Sequence, residues 1–278
     1  MSVINTNMNS LFAQNALQIN ARNLSSAMQQ LSTGSRINSA KDDAAGMAIA
    51  DTMTSQIRGL NMAAKNGNDA ISLLQTAEGA MSQQTAMLQR MRELAVQASS
   101  DSVSDTNKGY LDTEFQALLT QIDQIGSATQ WNGEDVLAAT GGTSGAGTYV
   151  FQVGSASGVT ISVSISDMST GGVLSDVSGV VISTASDATA SLALIDSALA
   201  ALDDERATLG AGINQLTYAV DNITNVAQNA TEGRSRILDT DYATASSQLA
   251  RAQIIQQAAT AMLAQANQQP QTVLALLK

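Results

Sequence analysis

The sequence predicts a mainly α-helical protein: a long antiparallel helical rod, packed like a coiled-coil bundle, with a small β-hairpin and paired terminal helices. The stretch 44–98 contains no proline and carries apolar residues at three- and four-residue spacing throughout. Of the 278 residues, 44% are apolar but only 3% are aromatic, which favours helices packed closely through Leu, Ile, Met and Ala. At about 1.5 Å per residue, the helix over 44–98 would be roughly 80 Å long.

The segment 1–35 predicts a first helix with a coiled-coil-like seam, which includes Leu17, Leu24, Met28 and Leu31. Gly34 marks a break, and the segment 36–43 then gathers charged residues that include Arg36, Asp42 and Asp43. We interpret 36–43 as an N-terminal hinge. Asp42 or Asp43 is expected to cap the following helix by accepting its free amide protons.

The segment 44–230 is interpreted as a rod domain with helices at about 44–98, 105–125 and 191–230. Between the second and third of these helices the apolar period changes to two, which predicts a β-hairpin at about 147–166. Trp131, Asn132 and Gly133 predict a tight turn before it. Val177 and residues 180–182 are a candidate covering segment for this region.

The segment 231–236 carries Gly233, Arg234 and Arg236, and we interpret it as a C-terminal hinge that mirrors 36–43. A last helix is predicted over 237–278 and is expected to end at Pro270, the only proline of the chain. The chain is therefore expected to run as end helix, hinge, rod, hairpin, rod, hinge and end helix.

Charge is distributed unevenly along the chain. The net charge is −11, but residues 109–205 contain twelve acidic and no basic residues. The two end segments are almost uncharged, and this is typical of surfaces built for burial. An acidic chain without a basic cluster does not favour nucleic acid as a partner. No apolar run approaches the length of a membrane span and no secretory signal precedes it, so no membrane contact is expected.

The chain contains no histidine and no cysteine, which excludes the commonest general base and the Ser-His and Cys-His nucleophile systems. The paired carboxylates at Asp42 and Asp43, and at Asp239 and Asp241, are better explained as helix caps than as acid–base pairs or metal ligands. The sequence therefore predicts a protein that is not an enzyme and needs no cofactor.

Several motifs closely resemble bacterial flagellin. On the N-terminal side they are residues 31–50 (LSTGSRINSAKDDAAGMAIA), 75–80 (QTAEGA) and 88–97 (LQRMRELAVQ). On the C-terminal side they are residues 235–242 (SRILDTDY) and 266–277 (ANQQPQTVLALL). The short middle region makes the chain similar to a flagellin without the outer domains of larger members.

The resemblance implies a subunit that polymerises into the flagellar filament for motility. It also implies export through the flagellar type III apparatus without a cleaved signal, and extracellular residence on the flagellum. The implied partners are further copies of the chain, the hook-associated junction and cap proteins, and an export chaperone. Candidate self-assembly residues lie on the terminal helices: Leu17, Leu24, Met28, Leu31, Leu249, Ala252, Leu263, Val273, Leu274 and Leu277.

In some flagellins the segment equivalent to 89–94, with a nearby glutamate, contacts the animal Toll-like receptor for flagellin. The resemblance therefore makes Gln89, Arg90, Leu94 and Glu114 candidate receptor contacts. The alternative is a hook–filament junction protein, which shares similar terminal helices. The motif at 88–97 and the hinge favour flagellin over that alternative.

Overall fold

The computed structural model describes residues 6–142, 145 and 147–275. Its helices are α1 (Met8–Thr33), α2 (Ala44–Ala98), α3 (Asp105–Ala128), α4 (Ala185–Leu238) and α5 (Tyr242–Ala275). Its strands are β1 (Gln130–Trp131), β2 (Glu134–Asp135), β3 (Thr148–Gln152) and β4 (Thr160–Ser164), and a 3₁₀ helix covers Val173–Val177. The predicted mainly α-helical fold with a small hairpin is confirmed.

The chain forms two compact units. The first combines the two ends of the chain, up to Ser55 and from Asn229, and contains α1 and α5. The second covers Gln56–Gln228 and contains α3 and both hairpins, together with most of α2 and α4.

Helix α4 differs from the prediction at both ends. It begins at Ala185 because Thr184 and Asp187 form a capping pair: the Asp187 amide donates to the Thr184 hydroxyl, which donates to the Asp187 carboxylate at 2.7 Å. It ends at Leu238, so the predicted break at 231–236 is wrong. A single glycine costs a helix only about 1 kcal/mol, and packing overrides a penalty of that size.

The hairpins follow the sequence pattern closely. Asn132 and Gly133 have φ values of 53° and 85°, as a two-residue type I′ turn between β1 and β2 requires. In the second hairpin, β3 pairs antiparallel with β4, with Tyr149 opposite Val163 and Phe151 opposite Ile161. Val159, which directly precedes β4, is 49% exposed, whereas Ile161 and Val163 within the strand are buried.

The second unit buries one continuous apolar core. Its largest fully buried side chains come from α2, α3, the 3₁₀ helix and the loops: Leu74, Met81, Leu88, Met91, Leu94, Phe115, Ile122, Leu137, Ile165, Met168, Leu174 and Ile182. Within this unit α2 and α4 run antiparallel. Two contacts show the direction: Gly67 lies against Val220, and further along α2 Arg92 pairs with Asp196, which comes earlier in α4. The predicted covering segment is partly confirmed: Val177 and Ile182 are buried, whereas Val181 is exposed.

By length and composition, α4 contains one window apolar enough to cross a membrane, although no such span is expected from the sequence pattern. That helix is rich in alanine, and its apolar row, including Ile195, Leu202 and Leu209, lies in the core of the second unit. Since 28% of that window is buried, core packing accounts for part of its apolar composition.

A buried glutamine joins three segments of this core. Gln84 is fully buried, and its amide nitrogen donates to the carbonyls of Ile122 at 3.2 Å and Met168 at 3.0 Å. The first acceptor lies on α3 and the second lies in the loop after β4. Gln84 therefore connects α2 to α3 and to the loop that covers the core.

We expect Gln84→Leu to lower the free energy of unfolding by about 1 kcal/mol, because the buried Met168 carbonyl loses a donor while Gln84 Oε1, which is buried without a partner among the described residues, is removed at the same time. Thermal unfolding followed by circular dichroism measures the loss. Gln83→Leu is the matched control, since Gln83 is the preceding residue of α2 and is exposed. Equal stability of both variants would show that the Gln84 bonds contribute nothing net.

Candidate assembly surface

The terminal helices pair with each other through small side chains. The buried residues of α1 are Ser10, Asn20 and Ala27, and those of α5 include Ala245 and Ala252. Asn20 and Ala27 are seven residues apart, as are Ala245 and Ala252, so each pair lies on one helix face. Side chains of this size let the two helix backbones approach closely.

Two asparagines donate hydrogen bonds directly to the backbone of α5: Asn7, the N-cap of α1, and Asn20, which lies within α1. The Asn20 amide nitrogen donates to the Ala252 carbonyl at 2.8 Å, and the Asn7 amide nitrogen donates to the Ala266 carbonyl at 2.8 Å. In both bonds the partners lie more than 230 residues apart in sequence. These contacts define an antiparallel pair made from the two ends of the chain.

Most of the predicted self-assembly residues lie within this pair. Leu17, Leu24, Leu31, Leu249 and Leu263 are partly buried and Ala252 is buried, whereas Met28 is 55% exposed. Leu277 lies outside the described residues, and the side chains of Val273 and Leu274 are likewise not described. Apart from Met28, the seam residues whose side chains are described are therefore at least partly buried in the single chain.

The outward faces of the pair carry large apolar side chains that seam analysis missed. They are Met8, Leu11, Phe12 and Ile19 on α1, and Ile254, Ile255 and Met262 on α5. Phe12 and Met262 line one groove between the helices, together with Ala13, Ala16 and Ala259. The available signal was the absence of charge around them: α1 contains only Arg22 and α5 only Arg251.

The predicted N-terminal hinge is built from capping contacts. Gly34 ends α1 with φ 71°, and its amide donates to the Gln30 carbonyl at 2.9 Å. Asp43 caps α2 by accepting from the Gly46 amide at 2.9 Å. Asp42 instead caps the preceding turn at Ser39, whose hydroxyl holds the pKa of Asp42 below its usual value.

Arg36 lies in the connector between α1 and α2, residues 34–43, and it forms hydrogen bonds with the end of α4. Its amide donates to the Leu238 carbonyl at 2.6 Å, and its guanidinium donates to the Ile237 carbonyl at 2.7 Å. The Thr240 amide donates back to the Gly34 carbonyl at 2.9 Å. A guanidinium at the C-terminal carbonyls of a helix also interacts favourably with its dipole. The two connectors therefore form one hydrogen-bonded junction.

The residues of the predicted C-terminal hinge lie within α4, so that part of the hinge prediction is corrected. Gly233 packs against Met53, and a Cβ atom there would lie 3.0 Å from the Met53 methyl carbon. Arg234 donates to the Thr54 hydroxyl at 3.3 Å, and Arg236 pairs with Glu232 one turn earlier. Close helix packing, rather than a bend, explains this glycine.

Asp241 is the N-cap of α5. It accepts from the Ala243 amide at 2.9 Å and from the Thr244 hydroxyl at 2.8 Å, and the Thr244 bond is the main reason its pKa is lowered. The described residues contain no group of three acidic side chains placed to hold a metal ion. The two cap bonds to Ala243 and Thr244 support the capping role that the sequence predicts for Asp241.

The candidate receptor residues are only partly accessible. Gln89 is exposed, and Arg90 is exposed and bonded to Glu114 through two nitrogens at 2.9 and 3.0 Å. Leu94 is 1% exposed in the core of the second unit. Because its side chain faces the helical core, Leu94 is corrected from a receptor contact to a core residue.

We expect Asp241→Ala to reduce the helicity of α5 at neutral pH, because two cap bonds are lost. A carboxyl whose folded-state pKa is lowered stabilises the fold above its unfolded pKa, and this contribution disappears as pH falls through the folded value. Asp241→Asn retains an acceptor but cannot titrate, so the stability of the first unit should depend less on pH between about 5 and 2. Circular dichroism across that range tests both variants, and identical acid profiles for the native chain and Asp241→Asn would contradict this.

Comparison with known proteins agrees with this architecture. Residues 4–141 match the model of the bacterial flagellin N-terminal helical region, and residues 192–277 match that of the bacterial flagellin C-terminal helical region. A flagellin of Halalkalibacterium halodurans is 40% identical over 276 residues, covering 99% of this chain and 100% of that protein.

Two solved structures are also similar. The crystal structure of Bacillus cereus flagellin is 30% identical with a TM-score of 0.50, covering 57% of this chain and 88% of that one. The structure of a putative flagellar hook-associated protein from Vibrio parahaemolyticus has a TM-score of 0.61 and covers 71% of this chain and 100% of that one, but at 17% identity it shows the fold alone. The two family models and the full-length flagellin relative place this chain in the bacterial flagellin family.

Proposed function

We propose that the chain is a structural subunit of the bacterial flagellar filament and that it polymerises with further copies through the outward faces of α1 and α5. One observation carries the proposal: on these faces Leu11, Phe12, Ile254 and Met262 are 58–67% exposed. Large apolar side chains clustered on a surface mark interaction sites. Membership of the flagellin family makes a second copy of the chain the occupant.

Charge supports the same occupant. With only Arg22 on α1 and Arg251 on α5, identical pairs can pack side by side with little repulsion. The acidic segment 109–205 belongs to the second unit, where water and salt can screen like charges on repeating subunits. The flagellar filament is an extracellular appendage. We therefore also propose that the chain is exported through the flagellar apparatus without a cleaved signal.

A hook–filament junction protein is the alternative. The hook-associated protein of similar fold supports only a shared architecture, whereas the flagellin relative matches at more than twice that identity over the whole chain. Electron microscopy separates the two: long filaments from the purified chain support the proposal, and short rings or caps support the alternative.

We expect Phe12→Ser and Met262→Ser each to raise the concentration needed for polymerisation at least tenfold. Burying such a side chain contributes about 1.5–3 kcal/mol, and one tenfold change corresponds to about 1.4 kcal/mol. Sedimentation of the polymer, checked by electron microscopy, measures the threshold.

Gln18→Ser is the control for these variants, since Gln18 is also exposed on α1 but offers no large apolar side chain. Circular dichroism should show unchanged helix content for all three variants. Normal polymerisation by both Phe12→Ser and Met262→Ser would remove the outward faces from the assembly surface.

We further propose that Arg90 and Glu114, with Gln89, form the surface that a Toll-like receptor for flagellin recognises. The pair is about half exposed and geometrically fixed by its two-nitrogen bond. Leu94 supports this surface from below by packing in the core.

Arg90→Ala should weaken binding to the receptor ectodomain at least tenfold, because exposed arginines at interfaces often carry much of the affinity. Surface plasmon resonance measures the change. Arg92→Ala is the matched control: Arg92 is similarly exposed and pairs with Asp196 on α4. Equal affinity of the native chain and Arg90→Ala would exclude this surface.

A further inference from the structure

We propose that Asn7 and Pro270 form a clasp that fastens the N-terminal end of α1 to α5. In this clasp Pro270 leaves one backbone carbonyl of α5 without its helical donor, and the Asn7 amide supplies the missing hydrogen bond. Asn7 is thus a positioning residue for the terminal helix pair. Both hydrogen bonds of the clasp form within one chain, so the clasp does not require polymerisation. Only a role for the clasp in the polymer rests on the proposed function.

The first step concerns the proline. Helix α5 runs from Tyr242 to Ala275, so it continues past Pro270, which the sequence analysis expected to end it. In an α-helix the amide of each residue donates to the carbonyl four residues earlier, but proline has no amide hydrogen. The carbonyl that Pro270 cannot serve is that of Ala266.

The second step concerns the asparagine. Its Nδ2 donates to the Ala266 carbonyl at 2.8 Å, so it replaces the absent donor. Its Oδ1 accepts from the Ser10 amide at 3.1 Å, so it also caps α1. One carboxamide therefore satisfies an orphan acceptor on α5 and an orphan donor on α1. An aspartate could make only the second bond, because an ionised carboxylate has no donor.

The other asparagine of the pair provides a contrast. Asn20 donates to the Ala252 carbonyl, and the residue four positions later, Gln256, has an amide that can serve the same carbonyl. The Asn20 bond is therefore additional to the helical bond. The Asn7 bond replaces a bond that Pro270 has removed, so the two residues depend on each other.

Because Asn7 and Pro270 depend on each other, a double-mutant cycle of Asn7→Asp and Pro270→Ala tests the clasp. A simple N-cap and a clasp predict opposite effects of Asn7→Asp on the stability of α1. Aspartate is as good an N-cap as asparagine, and its charge suits a helix N-terminus. A simple cap therefore predicts that Asn7→Asp leaves α1 unchanged or more stable. The clasp predicts instead that Asn7→Asp weakens the docking of α1, by an amount typical of one lost hydrogen bond.

The measurement is amide hydrogen exchange with mass spectrometry on the full chain, in the polymer or, if none forms, in the dispersed chain. We expect Asn7→Asp to accelerate exchange over residues 8–14 about two- to tenfold. In the Pro270→Ala background the same change should have no accelerating effect, because residue 270 again donates to the Ala266 carbonyl. Asn15→Asp, which adds the same charge at an exposed position of α1, should not accelerate exchange in either background.

The clasp would be overturned if Asn7→Asp accelerated amide exchange equally in both backgrounds, or if it did not accelerate exchange in the native background. It would also be overturned if the amides of residues 8–14 were not protected from exchange in the native chain. A chain that fails to polymerise would refute the filament proposal while the cycle is still measured in the dispersed chain. A chain that polymerises but gives an additive cycle would refute the clasp alone.

Discussion

The antiparallel pairing of the two halves of the chain is the constraint on which the rest of the structure depends. The pairings are nested: Asn20 bonds to Ala252, Arg36 to Ile237 and Arg92 to Asp196, with separations of 232, 201 and 104 residues. In each unit a segment from the first half therefore meets its partner from the second half. The β3–β4 hairpin lies between the paired segments in sequence and packs on both of them, since Val163 lies against Gly212 of α4 and Asn66 of α2 donates to the Gln152 carbonyl.

Periodicity predicted the elements well where one face of a helix or strand is buried. Helix α2 has the predicted bounds, and the Asn132–Gly133 turn follows from local chemistry. Periodicity failed where a contact distant in sequence overrides a local signal. Gly233 looks like a break but packs against Met53, and Pro270 looks like a stop although the Ala266 carbonyl finds a donor in Asn7. The roles of Asn7 and Gln84 could not be predicted, because each depends on carbonyls of elements distant in the chain.

The candidate assembly surface shows the same division. The near absence of charge on the terminal helices is evident from the sequence. The residues predicted for self-assembly were those of the apolar seam, but seam residues such as Leu17 and Ala252 are buried or partly buried between α1 and α5 of one chain. The exposed Phe12 and Met262 lie off the seam, and on a helix with few charges the outward face has no polar pattern to distinguish it. The outward face can be identified only when the partner helix is in place.

Side-chain size on the two faces of the terminal pair leads to a final step. Asparagine and alanine occupy the most deeply buried positions of the inner face, partly buried leucines such as Leu17 and Leu249 lie in the same pair, and two amide-to-carbonyl bonds join the helices. The larger side chains, such as Phe12, Ile254 and Met262, remain on the outer face, where burial requires another molecule. Because apolar burial is the dominant favourable term in association and in folding, burial of these outer side chains against further copies would add to the stabilisation of both helices. The pair therefore joins the two chain ends through small residues, partly buried leucines and two directed bonds, and it leaves its most exposed large apolar side chains on the outer face.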